Sequence, residues 1–246
     1  IRDLPMTMLV QKSISATQSF TMLAIPLFIL AGNLMNATGI TKRLMRLANV
    51  LTGHMYGNVG QVSCVLSTLM GGVSGSAVAD AAMETRILGP EMERLGYAKG
   101  WAAAINGLSG LIVATIPPSM GLIIYGTVGE VSIGRLFMAG WVPGLLMMVL
   151  LMLATSWSAR RFGYKPEHTQ RATLKQIGRE IVSSIWALLF PVLLIVLIRF
   201  GIMSPSESGA FACAYALFVG IVIYKELNWE TLMKTLKDSV KDITVI

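Results

Sequence analysis

The run Gly71-Gly72-Val73-Ser74-Gly75-Ser76-Ala77-Val78-Ala79-Asp80-Ala81-Ala82 decides how this chain folds. It lies between long apolar segments, yet nearly every side chain in it is small. Glycine frees the backbone from the usual dihedral limits, and with Ser and Ala it lets another segment approach closely. A Gly/Ser run at membrane depth breaks a helix, and the carbonyls and amides it frees need protein, water or a bound ion as partners. Asp80 follows at once, and a carboxylate at that depth is a functional candidate by default. The apolar arm Val59–Met70 is too short to span a membrane and runs straight into the small residues. Met83–Met92 then leads back toward the surface through Glu84, Arg86 and Glu91. Small-residue runs also occur where ordinary helices pack tightly. Here the glycines are clustered rather than spaced at helical intervals, which favours the tip of a re-entrant hairpin.

Composition sets the surroundings of that hairpin. The chain has 246 residues, 54% hydrophobic and 13% charged, with a mean hydropathy of +0.66. Soluble domains carry about a quarter charged residues, so the composition is that of an all-α polytopic membrane protein. Cys64 and Cys213 both lie inside apolar segments and imply no disulfide framework. The net charge of +7 comes in short basic clusters between hydrophobic stretches. That pattern sets membrane orientation and argues against nucleic acid as a partner. The chain opens on Ile1 and stops at Ile246 as a new apolar run begins, so it reads as part of a longer protein.

Upstream of the hairpin, residues 1–18 are mixed and read as interfacial, and Phe20–Met35 is a continuous apolar run. Ile40–Leu51 places Lys42, Arg43 and Arg46 on one face and apolar residues on the other, as in a helix lying in the membrane surface. Downstream, Trp101–Ile116 starts a helix that Pro117-Pro118-Ser119 interrupts before Met120–Val128 resumes it. Two prolines in succession remove backbone donors and push Ile116 out of helical geometry. Ser132 is an expected N-cap, and Leu136–Trp157 is long enough to span, with Pro143 and Gly144 expected to kink it. Residues 160–183 form a basic linker of net charge +4, cytoplasmic by the positive-inside rule. The linker divides the chain into 1–159 and 184–246. In the second part, Ile185–Phe200 and Ala210–Tyr224 form a helix pair. Ser204-Pro205-Ser206-Glu207 between them has the spacing of a capping box, which makes Glu207 a cap rather than a ligand. The stretch from Leu227 weakly resembles the opening of the chain, as in a repeat whose second copy begins there.

Enzymatic constellations are scarce. His54 and His168 are far apart, and no metal-ligand spacing, triad or phosphate loop occurs. Asp80 and Glu84 are one helical turn apart, but the other aspartates lie in polar or terminal stretches. A transport site explains the pattern better. Broken elements expose carbonyl oxygens that suit Na⁺, while hydroxyls and helix N-termini suit an anionic group. Ser74, Gly75, Ser76, Thr115, Ile116, Pro117 and Ser119 supply such oxygens without fixed charge. Two roles are open to Asp80: coordinating an ion, or bracing the tip by capping backbone amides. Capping is favoured, because carboxylates readily serve as N-terminal caps.

The run Gly71–Ala81 closely resembles the large membrane subunit of TRAP (tripartite ATP-independent periplasmic) transporters, the DctM-like family. So do Ala24–Gly32, Gly96-Tyr97, Ile116–Ser119, Val131–Gly134 and Arg160–Tyr164. The resemblance covers essentially the whole chain. It implies a sodium-driven transporter of organic-acid anions in the bacterial inner membrane, with Na⁺ as the coupling ion. It also implies a periplasmic (DctP-like) binding protein that delivers the substrate and a small (DctQ-like) membrane subunit. The implied fold has two inverted repeats, each with a re-entrant hairpin and a broken helix, moving as an elevator. On this sequence the first tip would be Ser74–Ser76 and the first break Ile116–Ser119. Ser76, Asn106, Ser109, Pro118 and Ser119 would face the substrate. One departure stands out: where the family often carries Ser-Ser-Thr and then Gly-Pro, this chain has Ser109-Gly110-Leu111 and Val113-Ala114, which leaves Asn106 and Thr115 as nearby polar groups. Two other readings are a dicarboxylate carrier of related fold that needs no binding protein, and a membrane scaffold that transports nothing.

Overall fold

The computed structural model describes residues 23–166 and 171–245, and every regular element among them is helical. Helix α1 (Ala24–Ala37) leads into α2 (Ile40–Thr52) through a 69° bend at Gly39, whose φ is 73°. Then come α3 (Asn58–Gly71) and α4 (Ala77–Arg94), joined by the small-residue tip. Next are α5 (Lys99–Thr115), α6 (Met120–Val128) and α7 (Ile133–Phe162). Helices α8 (Leu174–Ser183), α9 (Ile185–Arg199), α10 (Pro205–Phe218) and α11 (Trp229–Val245) complete the order, with a π-helical extension of α10 over Val219–Ile223. The expected interfacial segment 1–18, and the sequence likeness drawn between it and the stretch after Leu227, fall outside the described residues.

By length and apolarity, α7 and the extended α10 are each able to cross a membrane. The bent pairs α1–α2, α5–α6 and α8–α9 qualify only jointly. On α7, Val142, Leu146, Val149, Leu153 and Trp157 form an exposed stripe at helical spacing. Such a stripe is costly in water and costs nothing against lipid tails. The chain is a polytopic helical membrane protein, as its composition demands. The expected helix break at 116–119 is present, with a 47° bend between α5 and α6. Helix α7 is continuous from Ile133 to Phe162 with Pro143 inside it.

The expected caps are in place. Ser132 accepts from the Arg135 amide, and Ser204 and Glu207 form a reciprocal capping box that keeps Glu207 out of any site. Helix α2 buries Ile40, Leu44, Leu47 and Ala48 and exposes Lys42 and Arg46, the amphipathic division its sequence predicts. The basic linker is shorter than its charges suggest. Helix α7 runs into its start, and its second half is α8, opened by a Thr173/Gln176 capping box.

Small residues and aromatic rings set the position of the hairpin. Gly57 and Gly60 lie under the Trp101 ring and Thr155, where an added Cβ would meet Trp101 at 2.7 Å from Gly60. Tyr97 stacks on Trp101 with ring centroids 5.0 Å apart, and Tyr164 lies across both rings. The Tyr164 hydroxyl accepts from the Ala98 amide at 2.9 Å, and the Trp101 indole N–H donates to Ser158 at 3.1 Å. Gln61 in α3 donates to the Met152 carbonyl and to Ser156 of α7. The Gly96-Tyr97 and Arg160–Tyr164 motifs therefore fasten the base of the hairpin and the start of α5 to the end of α7.

Candidate functional site

The tip Gly72–Ser76 and the break Ile116–Ser119 meet. Gly75 adopts φ +62°, and a Cβ there would collide with the Pro118 carbonyl oxygen. The Met120 amide donates to the Gly75 carbonyl at 3.2 Å. On the opposite side, Gly32 of α1 lets the tip in so closely that a Cβ would stand 2.9 Å from the Ser74 Cα. Behind the break, Gly140 and Gly144 of α7 receive the Thr115 carbonyl and the Ile116 side chain, each 2.5 Å from the point where a Cβ would sit. At Gly75, Gly32 and Gly140 glycine is a steric requirement of backbone meeting backbone, and at Gly144 it makes room for the buried Ile116 side chain.

Ser76 and Ser119 play matching roles. Each has extended backbone, caps the following helix, and accepts a hydrogen bond from the third helical amide, Ala79 for Ser76 and Leu122 for Ser119, both at 3.4 Å. The N-termini of α4 and α6 thus open onto one cavity of about 550 Å³, lined by Ser74, Gly75, Ser76, Ala77, Ser119, Met120 and Gly121. The helix dipoles and first-turn amides aim partial positive charge at this cavity, and among the described residues no basic side chain lines it. Asp80 and Asp242 are the ionisable residues on its wall.

Asp80 does not cap. That task falls to Ser76, and Asp80 sits farther into the helix, only 2% exposed, with no hydrogen-bond donor within bonding geometry of its carboxylate oxygens among the described residues. The favoured bracing through backbone amides is therefore replaced by a bare carboxylate beside the cavity. Glu84, one turn on, corrects the sequence reading in the opposite sense. Instead of leading the arm to the surface, it is fully buried, with Ser63 and Ser67 of α3 donating to it at 2.5 and 2.6 Å and Ser109 of α5 at 3.0 Å. This cluster ties the two hairpin arms to the first half of the broken helix.

The sequence-predicted site residues divide accordingly. Ser74, Gly75, Ser76 and Ser119 line the cavity together. Asn106 and Ser109 are buried in the Glu84 cluster, where the Asn106 side-chain oxygen lies 3.2 Å from the Ser63 hydroxyl. Thr115 turns its hydroxyl back to the Leu111 carbonyl, the ordinary habit of a helical threonine. Ile116 is fully buried, and neither Pro117 nor Pro118 lines the cavity. Sequence reasoning missed Asn33 and Asn36, which line the cavity from α1. Their signal was available: two amides three residues apart, on one face of an otherwise apolar helix.

The family model for the DctM component of the tripartite ATP-independent periplasmic transporter matches residues 1–246. The chain is 42% identical over 236 residues to the 2,3-diketo-L-gulonate TRAP transporter large permease protein YiaN of Escherichia coli, covering 96% of this chain and 55% of that protein. It is 37% identical over 238 residues to the sialic acid TRAP transporter large permease protein SiaM of Vibrio cholerae, covering 96% and 55%. Against the C4-dicarboxylate TRAP transporter large permease protein DctM of Rhodobacter capsulatus it is 31% identical over 251 residues, covering 96% and 57%. The chain spans about half the length of these curated relatives. These are transporter components rather than enzymes, and the chain belongs to the DctM component family of tripartite ATP-independent periplasmic transporters.

Proposed function

We propose that this chain forms the hairpin and broken-helix portion of a permease in the bacterial inner membrane that takes up an organic-acid anion with Na⁺. The carrying observation is the pair of helix N-termini, capped by Ser76 and Ser119, that converge on one cavity whose wall has no basic side chain among the described residues. First-turn amides hold a carboxylate while leaving it free to depart, since no fixed cation competes with release. The coupling ion suits the same place. The Asp80 carboxylate is a buried acceptor without a hydrogen-bond donor among the described residues, and a hard monovalent cation is the ligand that oxygen atoms of this kind accept. Ser74, Gly75, Ser76 and Ser119 supply the neutral oxygens around it. Thr115, with its hydroxyl already used within α5, is a weaker candidate.

The relatives' names include acids as different as diketogulonate, sialate and C4-dicarboxylates. Backbone recognition of a carboxylate is indifferent to the rest of the molecule, which fits a site reused across that range. A periplasmic binding protein delivers the substrate, and a small membrane subunit braces the permease. The hairpin dips into the membrane from one side, within a repeat that moves as an elevator.

The test is uptake of a panel of radiolabelled organic acids into proteoliposomes. They would hold the full-length protein with its small subunit, with and without the binding protein and an inward Na⁺ gradient. Uptake that needs both supports the proposal and names the substrate. Uptake indifferent to the binding protein supports a self-sufficient carrier, and no counterflow of any acid supports a scaffold. In the same assay, Asp80→Asn is expected to lower the apparent Na⁺ affinity at least about tenfold, because a neutral amide contributes less to a cation than a carboxylate. Unchanged Na⁺ dependence in that variant would remove Asp80 from the ion site.

A further inference from the structure

Away from the cavity, α2 and α8 lie against each other and form a ledge. Ser184, at the bend after α8, donates to the Arg43 carbonyl at 3.2 Å, and Arg46 lies 3.9 Å from Glu180. Arg43 itself is fully used. It pairs with Glu226 at 2.8 Å, donates to the Gly39 carbonyl at 3.1 Å, and stacks 3.6 Å over the Tyr224 ring. Beside it is an open cavity of about 710 Å³ lined by Lys42, Arg43, Met45, Arg46 and Glu226. With Glu226 neutralised by Arg43, Lys42 and Arg46 leave that cavity net positive.

Helix α8 continues the pattern. Lys175 and Arg179 are one turn apart on its polar side, the exposed Val182 lies one turn beyond Arg179 on that same side, and the exposed Leu174 and Ile181 flank it, Leu174 exposed by 85% and Val182 by 71%. Lys42, Lys175 and Arg179 have no ion pair among the described residues. A merely solvated face would account for the cations but would not leave an apolar edge beside them. An acidic protein or free phosphate would satisfy the charges and leave that edge in water. A bilayer surface satisfies both, because headgroups meet the cations where acyl chains begin.

We infer that the α2–α8 ledge is a binding site for an anionic phospholipid, with Lys42 and Arg46 holding the lipid phosphate and Lys175 and Arg179 adding attraction to the surrounding headgroups. The inference is independent of which acid is transported and of the coupling ion.

The experiment is native mass spectrometry of the full-length protein in detergent, titrated with phosphatidylglycerol or with phosphatidylcholine of the same acyl chains. Wild type is expected to prefer phosphatidylglycerol, and Lys42→Gln with Arg46→Gln to weaken its binding about thirtyfold, two basic contacts being lost. Lys42→Arg with Arg46→Lys is expected to keep the preference, which guards against a variant that only misfolds. Inorganic phosphate at millimolar concentration is expected not to displace the lipid. Equal binding of the two lipids, a preference that survives the double Gln change, loss of preference in the charge-conserving variant, or displacement by phosphate would each overturn the inference.

Discussion

Replacing Gly75 by Ala is expected to slow Na⁺-driven uptake at least about tenfold, which corresponds to 1.4 kcal/mol of lost transition-state or conformational free energy. Two costs add at this position. The backbone lies at φ +62°, where an L-residue loses roughly 1 kcal/mol, and the new methyl meets the Pro118 carbonyl oxygen. Neither party is a flexible side chain, so the tip and the break must move apart. That movement strains the Met120 N–H bond to the Gly75 carbonyl and shifts the Ser119 cap relative to the Ser76 cap. Gly96→Ala is the control that separates strain from collision: Gly96 has φ +78° with nothing within 4 Å of the added methyl. Uptake by Gly96→Ala should match wild type, and both variants should unfold within a few degrees of it in detergent. Full uptake in Gly75→Ala would mean that contact between tip and break is not used in transport.

The two elements that make that contact were legible in the sequence because glycine clusters and paired prolines override helix propensity whatever the tertiary context. The two interruptions therefore fell where the residues placed them. The direction of the side chains around them was not legible. Thr115, Asn106 and Ser109 are polar and close in sequence to the break, but helical phase turns Thr115 back to Leu111 and points the other two toward Glu84. Charge density misled in the same way. Glu84 stands in sequence before a run of surface charges, yet its phase matches that of Asp80, which faces the bundle. The signal that could have found its partners was the Ser63/Ser67 pair, two hydroxyls one turn apart within an apolar arm. Asp80 was read as a cap because a carboxylate beside a helix start usually is one, whereas Ser76 already occupies that position. Asn33 and Asn36 were hidden by the apolar average of the helix that carries them. The family motifs, in turn, proved to include fasteners as well as site residues, since Tyr97 and Tyr164 act on the base of the hairpin rather than its tip.

Glu84→Ala is expected to destabilise the protein by about 3 kcal/mol, the sum of buried hydrogen bonds lost and of the space left behind. The fully buried carboxylate gathers hydroxyls from α3 and α5, so its removal loosens three helices at once. Ser63 and Ser67 recover part of the cost by turning back to carbonyls of their own helix. What is not recovered is the link between the arms, and the hairpin should part from α5 before the rest of the protein unfolds. Glu84→Gln keeps the shape and one acceptor oxygen, and it should lose only about 1 kcal/mol, because the rotatable hydroxyls can reverse to accept from its amide. Glu91→Ala on the same helix removes an exposed pair with Arg94 and should change stability by no more than about 0.5 kcal/mol. Thermal unfolding of the full-length protein in detergent, followed by tryptophan fluorescence, would rank the three variants. Trp101 at the start of α5 reports on the element that Glu84 secures. If Glu84→Ala unfolded with Glu91→Ala rather than well below it, the buried cluster would not be what holds the hairpin against the broken helix, and the shared cavity would owe its geometry to the glycine contacts alone.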